Sequence, residues 1–101
     1  MDSYDVEREQ LLAQFGSNVR RARMELSSRH GSRRGLSQEA LSERAGLHRT
    51  EIAKIELGHT EPRLSTLLIL AEVFGISLDD LAEGLQAPRR RRPAPQARPR
   101  K

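Results

Sequence analysis

Apolar residues recur along most of this chain at the three- and four-residue steps of an α-helix, and no stretch alternates as a strand would. Leu11, Phe15, Val19, Ala22 and Leu26 stand at steps of 4, 4, 3 and 4, which predicts one apolar stripe on a long first helix from about Val6 to Ser28. The run "SSRHGSRRG", Ser27 to Gly35, has nothing to bury and reads as a loop. Ser37 offers an N-cap to a short second helix through Ala45, with Glu39 in its first turn and Ala40, Leu41 and Ala45 facing inward. Gly46 can take the left-handed conformation that ends such a helix. A third helix, from about Arg49 to Leu57, turns Ile52 and Ile55 inward and stops at Gly58. After a turn containing Pro62, the residues Leu64, Leu67, Leu68, Leu70, Ala71 and Phe74 make a fourth helix that stops at Gly75. Ser77 followed by Asp80 is a capping signature for a short fifth helix bearing Leu78, Leu81, Ala82 and Leu85. The pattern therefore predicts an all-α, compact five-helix domain over residues 11–86, with residues 1–10 as an N-terminal extension or the start of the first helix.

Beyond Ala87 the pattern stops. "PRRRRPAPQARPRK" holds four of the five prolines and no large apolar residue, so residues 87–101 read as a disordered basic tail. Charge changes the picture more than composition does. The overall +4 conceals seven basic residues and no acid from Gln86 onward, against 11 basic and 14 acidic residues before it. Within that body, residues 20–55 carry nine basic and four acidic side chains, whereas residues 1–19 and 56–85 are both net acidic. A basic middle flanked by acidic segments is the pattern of a polyanion-binding face on a body that otherwise repels polyanions.

With no cysteine, the chain offers neither a disulfide framework nor a thiolate metal site. His30, His48 and His59 share no helical spacing, so no metal or other cofactor is expected. No apolar run approaches the roughly 18–20 residues of a membrane span, and the polar, acidic N-terminus is unlike a secretory signal. The expectation is a soluble cytoplasmic protein without membrane contact. No phosphate-cradling glycine loop, nucleophile motif or paired carboxylates in a pocket appear, and an enzyme is not expected.

The chemistry concentrates in "LSERAGLHRTEIAKIELG", Leu41 to Gly58. A helix-turn-helix needs a small residue for close contact, a glycine in the turn and branched apolar residues that pack the second helix on the first. Counted from Gln38 as position one, Leu41 is fourth, Gly46 ninth, Leu47 tenth, Ile52 fifteenth and Ile55 eighteenth, which satisfies the spacing. The side chains left outside the second helix are Arg49, Thr50, Ala53 and Lys54, with Glu51 at the side and His48 at the start. Arginine pairs with guanine O6 and N7, threonine reaches a base edge or a thymine methyl, and lysine reaches a base or a phosphate. That face suits a DNA major groove.

The segment "GLSQEALSERAGLHRTEIAKIELGHTEPRLSTLLILAEVFGISLDDL" resembles the lambda-repressor-like, Cro/XRE family of bacterial and phage transcription regulators. The likeness covers about Leu11 to Leu85 and implies a five-helix lambda-repressor-like domain with its helix-turn-helix at helices 2 and 3. It also implies binding to double-stranded DNA as a homodimer, on a pseudo-palindromic operator and most often as a repressor. By the same resemblance Gln38 corresponds to a residue that holds the phosphate backbone, and Arg49, Thr50 and Lys54 to base-reading positions. Arg63 corresponds to a residue near the backbone or minor groove, and Arg23 with Glu56 to an ion pair between the first and third helices. Four departures stand out: Ser42 in place of alanine, His48 in place of a serine or threonine cap, Glu51 where a polar group approaches phosphate, and the long "SSRHGSRRG" loop. Arg29, Arg33 and Arg34 of that loop are expected to add phosphate contacts, which steepen salt dependence without sharpening sequence choice. An acid at Glu51 repels DNA unless it accepts from a cytosine amino group or pairs with a neighbouring arginine. Leu78, Leu81 and Leu85, with exposed parts of the fourth helix, are candidates for the dimer interface. Completing the monomer core is an equal alternative for Leu78 and Leu81, and Leu85 is the stronger interface candidate. Three further readings stand beside this one. The first is an antitoxin-type protein-interaction module of a toxin-antitoxin pair, using the acidic surface of residues 56–85 or the basic tail; a toxin or RNA polymerase is the protein partner considered. The others are a controller protein of a restriction-modification system and a sequence-blind polyanion binder driven by the tail and the arginine loop.

Overall fold

The computed structural model describes residues 2–29 and 36–89. It contains α1 (Ser3–Arg29), α2 (Gln38–Ala45), α3 (Arg49–Glu56), α4 (Leu64–Phe74) and α5 (Leu78–Leu81), with no strand among the described residues. Arg33, Arg34 and residues 90–101 of the predicted basic tail lie outside the described residues, as does the side chain of Arg29.

α1 begins at Ser3, three residues before the apolar pattern, because Asp2 caps it. The Asp2 carboxylate accepts from the backbone N–H of Asp5 at 3.0 Å. Phe15, Val19 and Leu26 of the predicted stripe are buried, and Leu12 joins them. α1 packs across α3 and also meets α4 and α5, while α2 packs on α3 and α4. Phe74, Leu41, Ile52, Ile55, Leu70, Leu81 and Val19 fill the centre, each less than 2% exposed. Burial of each such side chain stabilises the fold by about 1.5–3 kcal/mol.

Among the described residues three polar side chains, Asn18, Arg23 and Thr66, are buried beside this core. Asn18, 5% exposed, donates from Nδ2 to the carbonyl of Leu81 at 2.9 Å and to that of Glu83 at 2.8 Å. Its Oδ1 accepts from Gln14 at 2.9 Å and Arg21 at 2.8 Å. Asn18 thereby supplies a donor to the last carbonyl of α5, Leu81, and to that of Glu83 in the turn that follows.

α5 is shorter than its apolar residues suggest. The Ser77 side chain accepts from Asp80 N–H at 3.0 Å and starts the helix, but a turn takes over at Ala82 and Gly84 adopts φ +80°. Leu81, for which the sequence leaves interface and core as equal alternatives, is 1% exposed and belongs to the core. Its side chain faces inward because the short helix lies over α1 and α4. Leu85 is partly buried against the same core. No described helix is long and apolar enough to cross a membrane.

Candidate nucleic-acid interface

Gly46 has φ +68° and ψ +28°, and its N–H donates to the carbonyl of Ser42 at 2.9 Å. Leu47 N–H reaches the same carbonyl at 3.2 Å. A left-handed residue is what lets the chain leave α2 and re-enter a helix within three residues. Ser42, the departure from alanine, has a role the sequence did not disclose: its hydroxyl donates across the turn to the carbonyl of Leu47. The side chain that keeps α2 and α3 close also ties the turn between them.

α3 is seated by Ile52 and Ile55, which are 0% and 1% exposed. Arg49, Thr50 and Lys54 are exposed. His48 occupies the N-cap with φ −67° and ψ +143°, yet its side chain makes no capping hydrogen bond. The first turn of α3 therefore keeps free N–H groups that water or an anion must satisfy.

Glu51 turns aside. It is half-buried, and one carboxylate oxygen accepts from the hydroxyl of the buried Thr66 at 3.5 Å. It lines a cleft with Ile55, Thr60, Glu61, Pro62 and Arg63. This long contact to α4 was hidden in the sequence, since the two residues come together only when α3 and α4 pack. Arg63 is exposed at the N-cap of α4.

Behind α3 lies a dense charge cluster. Arg23 Nε donates to Glu56 Oε2 at 2.7 Å and Arg23 Nη2 to Glu56 Oε1 at 2.9 Å, with side-chain exposures of 10% and 4%. This planar two-point pairing is the strong form of such a contact. Arg23 Nη1 donates to the Leu36 carbonyl at 2.6 Å, and Gln38 Nε2 donates to Glu56 Oε1 at 3.0 Å. Among the described residues no buried side-chain nitrogen or oxygen lacks a partner. As with any buried pair, the net stability gain is small, but loss of one partner is costly.

The geometry thus presents one short helix, locked from beneath and bearing exposed hydrogen-bonding cations outside, beside the start of another. A Helix-turn-helix family model matches residues 33–81. The crystal structure of the restriction-modification controller protein C.AhdI from Aeromonas hydrophila is similar at TM-score 0.55 and 33% identity, over 69% of this chain and 94% of that one. The chain belongs to the XRE-type helix-turn-helix family. Its fold is the five-helix, lambda-repressor-like arrangement expected from the sequence. The SPbeta prophage-derived HTH-type transcriptional regulator YonR of Bacillus subtilis is 32% identical over 73 residues, 72% of this chain and 60% of that protein. Control protein C.SmaI of Serratia marcescens is 48% identical over 46 residues, 46% of this chain and 55% of that protein. The chain therefore spans little more than half the length of these two relatives. All three are named as regulators or controllers.

Proposed function

We propose that this chain is a transcription regulator that inserts α3 into the DNA major groove and binds a pseudo-palindromic operator as a homodimer. The observation that carries the reading is the exposure of Arg49, Thr50 and Lys54 on a helix whose opposite side is fixed by Ile52 and Ile55. Arg49 reads guanine, Thr50 a base edge or thymine methyl, and Lys54 a base or phosphate. Gln38 and Arg63 meet the backbone, and Arg29, Arg33 and Arg34 add phosphate contacts. His48 stands at the uncapped start of α3, where an anion is favoured. Glu51 acts from the side of the helix and steadies it against Thr66. Occupancy of an operator within a promoter represses by exclusion.

Leu64 and Leu68 lie four residues apart on α4 and are 68% and 53% exposed. Side chains at that spacing share one helix face. Together with Leu78 they form the proposed subunit surface, to which the half-buried Leu85 contributes less. Two recognition helices would then enter successive major grooves, about 34 Å apart.

The similarity to C.SmaI and C.AhdI favours one specific form of this role, control of a restriction-modification system. Its mark would be a consensus upstream of such genes. The deciding experiment is selection from random-sequence duplexes with purified protein at two salt concentrations. A palindromic consensus is expected at both. Retention of random DNA without enrichment defeats the reading.

A further inference from the structure

The side-chain amide of Gln38 is already engaged before any ligand arrives. Its nitrogen donates to Glu56 Oε1, the same oxygen that accepts from Arg23 Nη2. The third arm of the arginine holds the carbonyl of Leu36, one residue before the Ser37 cap of α2. One ion pair therefore grips the entry to α2 twice, by its backbone and by its first side chain. Glu56 is also the last residue of α3.

We infer that Glu56 is a positioning residue for Gln38, aiming its amide at a DNA phosphate and locking the start of α2 to the end of α3. This rests on the DNA-binding reading above. The chemistry runs through the carboxylate. An ionised carboxylate only accepts hydrogen bonds, so the amide nitrogen of Gln38, and not its oxygen, must face Glu56. That selects one of the two amide flips. The nitrogen has two N–H groups; the second stays available for a phosphate oxygen, which also only accepts. A glutamine held this way loses its rotamer freedom on folding and not on binding, so the contact to DNA is preorganised. Arg23 contributes by holding Glu56 at two points, which prevents the carboxylate from following the amide outward. Arg23 and Glu56 thereby act on DNA through Gln38, without touching it.

A mutant cycle tests this. The four proteins are the wild type, Gln38→Ala, the paired change Arg23→Met with Glu56→Leu, and the triple variant. Replacing both charges together leaves no buried ion unpaired, so the fold should persist, as thermal unfolding by circular dichroism will report. Binding is measured on the selected operator and on a random duplex. Gln38→Ala should weaken both by about tenfold, equivalent to about 1.4 kcal/mol. The paired change should weaken both to a similar degree with cooperative unfolding retained. Adding Gln38→Ala to it should then cost less than about threefold, the non-additivity expected of coupled residues. A full tenfold loss from Gln38→Ala in both backgrounds overturns the inference.

A second measurement needs no variant. In the DNA-free wild type, one side-chain amide proton of Gln38 should exchange more slowly than those of the exposed Gln10 and Gln86. Equal exchange overturns the anchoring. A wild type with a protected Gln38 amide that binds no duplex overturns the DNA reading instead, and leaves the anchoring in place.

Discussion

Gly16 in the middle of α1 meets the carbonyl of Glu56 so closely that a Cβ on it would lie 2.4 Å from that oxygen and 2.5 Å from the carbonyl oxygen of Ile55. The end of α3 rests on the bare backbone of α1. Two effects oppose each other when Gly16 becomes alanine. Helix propensity favours alanine by about 1 kcal/mol, whereas the clash is with backbone, which cannot swing away as a side chain would. Overpacking of this kind costs about 1–3 kcal/mol. Gly16→Ala should therefore lower the urea midpoint. An increase would mean that α1 and α3 sit further apart.

The missing cap on α3 can be supplied. His48 has the extended backbone of an N-cap but no side-chain bond to the helix. His48→Ser should raise stability by about 0.5–1 kcal/mol, the ordinary value of a capping serine. Thermal unfolding checks it, and an unchanged melting temperature would show that the histidine ring packs usefully elsewhere.

Arg49 is exposed at the first position of α3. Arg49→Ala should reduce affinity for the selected operator by about 1–3 kcal/mol and relax one base position per half-site. Competition binding against operators varied at single positions reads this out. Equal losses on operator and random duplex would assign Arg49 to the phosphate backbone.

Leu68 is 53% exposed on α4. If that face joins two copies, Leu68→Glu should shift the sedimentation coefficient to that of a monomer. Operator affinity should fall with it, while helix content stays unchanged. A dimer that persists would move the interface away from α4.

The helices and their order were legible because burial imposes a period. The side of α1 that carries Phe15, Val19 and Leu26, and the inward pair Ile52 and Ile55, could be read from spacing, and Gly46 from its place between two patterned runs. The exposed residues of α3 followed by subtraction. What the period could not convey is any contact between residues distant in sequence and polar in character. Asn18 looks like one more surface residue of a polar α1, yet it holds the end of α5. Even a local polar contact escapes the period: Ser42 looks like a tolerated substitute for alanine, yet it ties the turn.

Leucines also lie beyond the reach of periodicity when a helix is short. Leu78, Leu81 and Leu85 are alike in sequence, but Leu81 is in the core, Leu78 is exposed at 36% and Leu85 is partly covered. Four residues of helix are too few to define a face by repetition, so packing against α1 and α4 decides it.

The amino-acid order by itself determined five helices, a glycine turn between the second and third, and a basic, hydrogen-bonding outer face on the third. These depend on local backbone preference and on a repeating apolar side, both of which are written along the chain. Only the tertiary structure decided how that face is held: Gly16 beneath the end of α3, Glu51 drawn toward Thr66, and Gln38 fastened through Glu56 to Arg23. Those contacts join residues 15 to 40 positions apart, and their geometry exists only once the helices have packed.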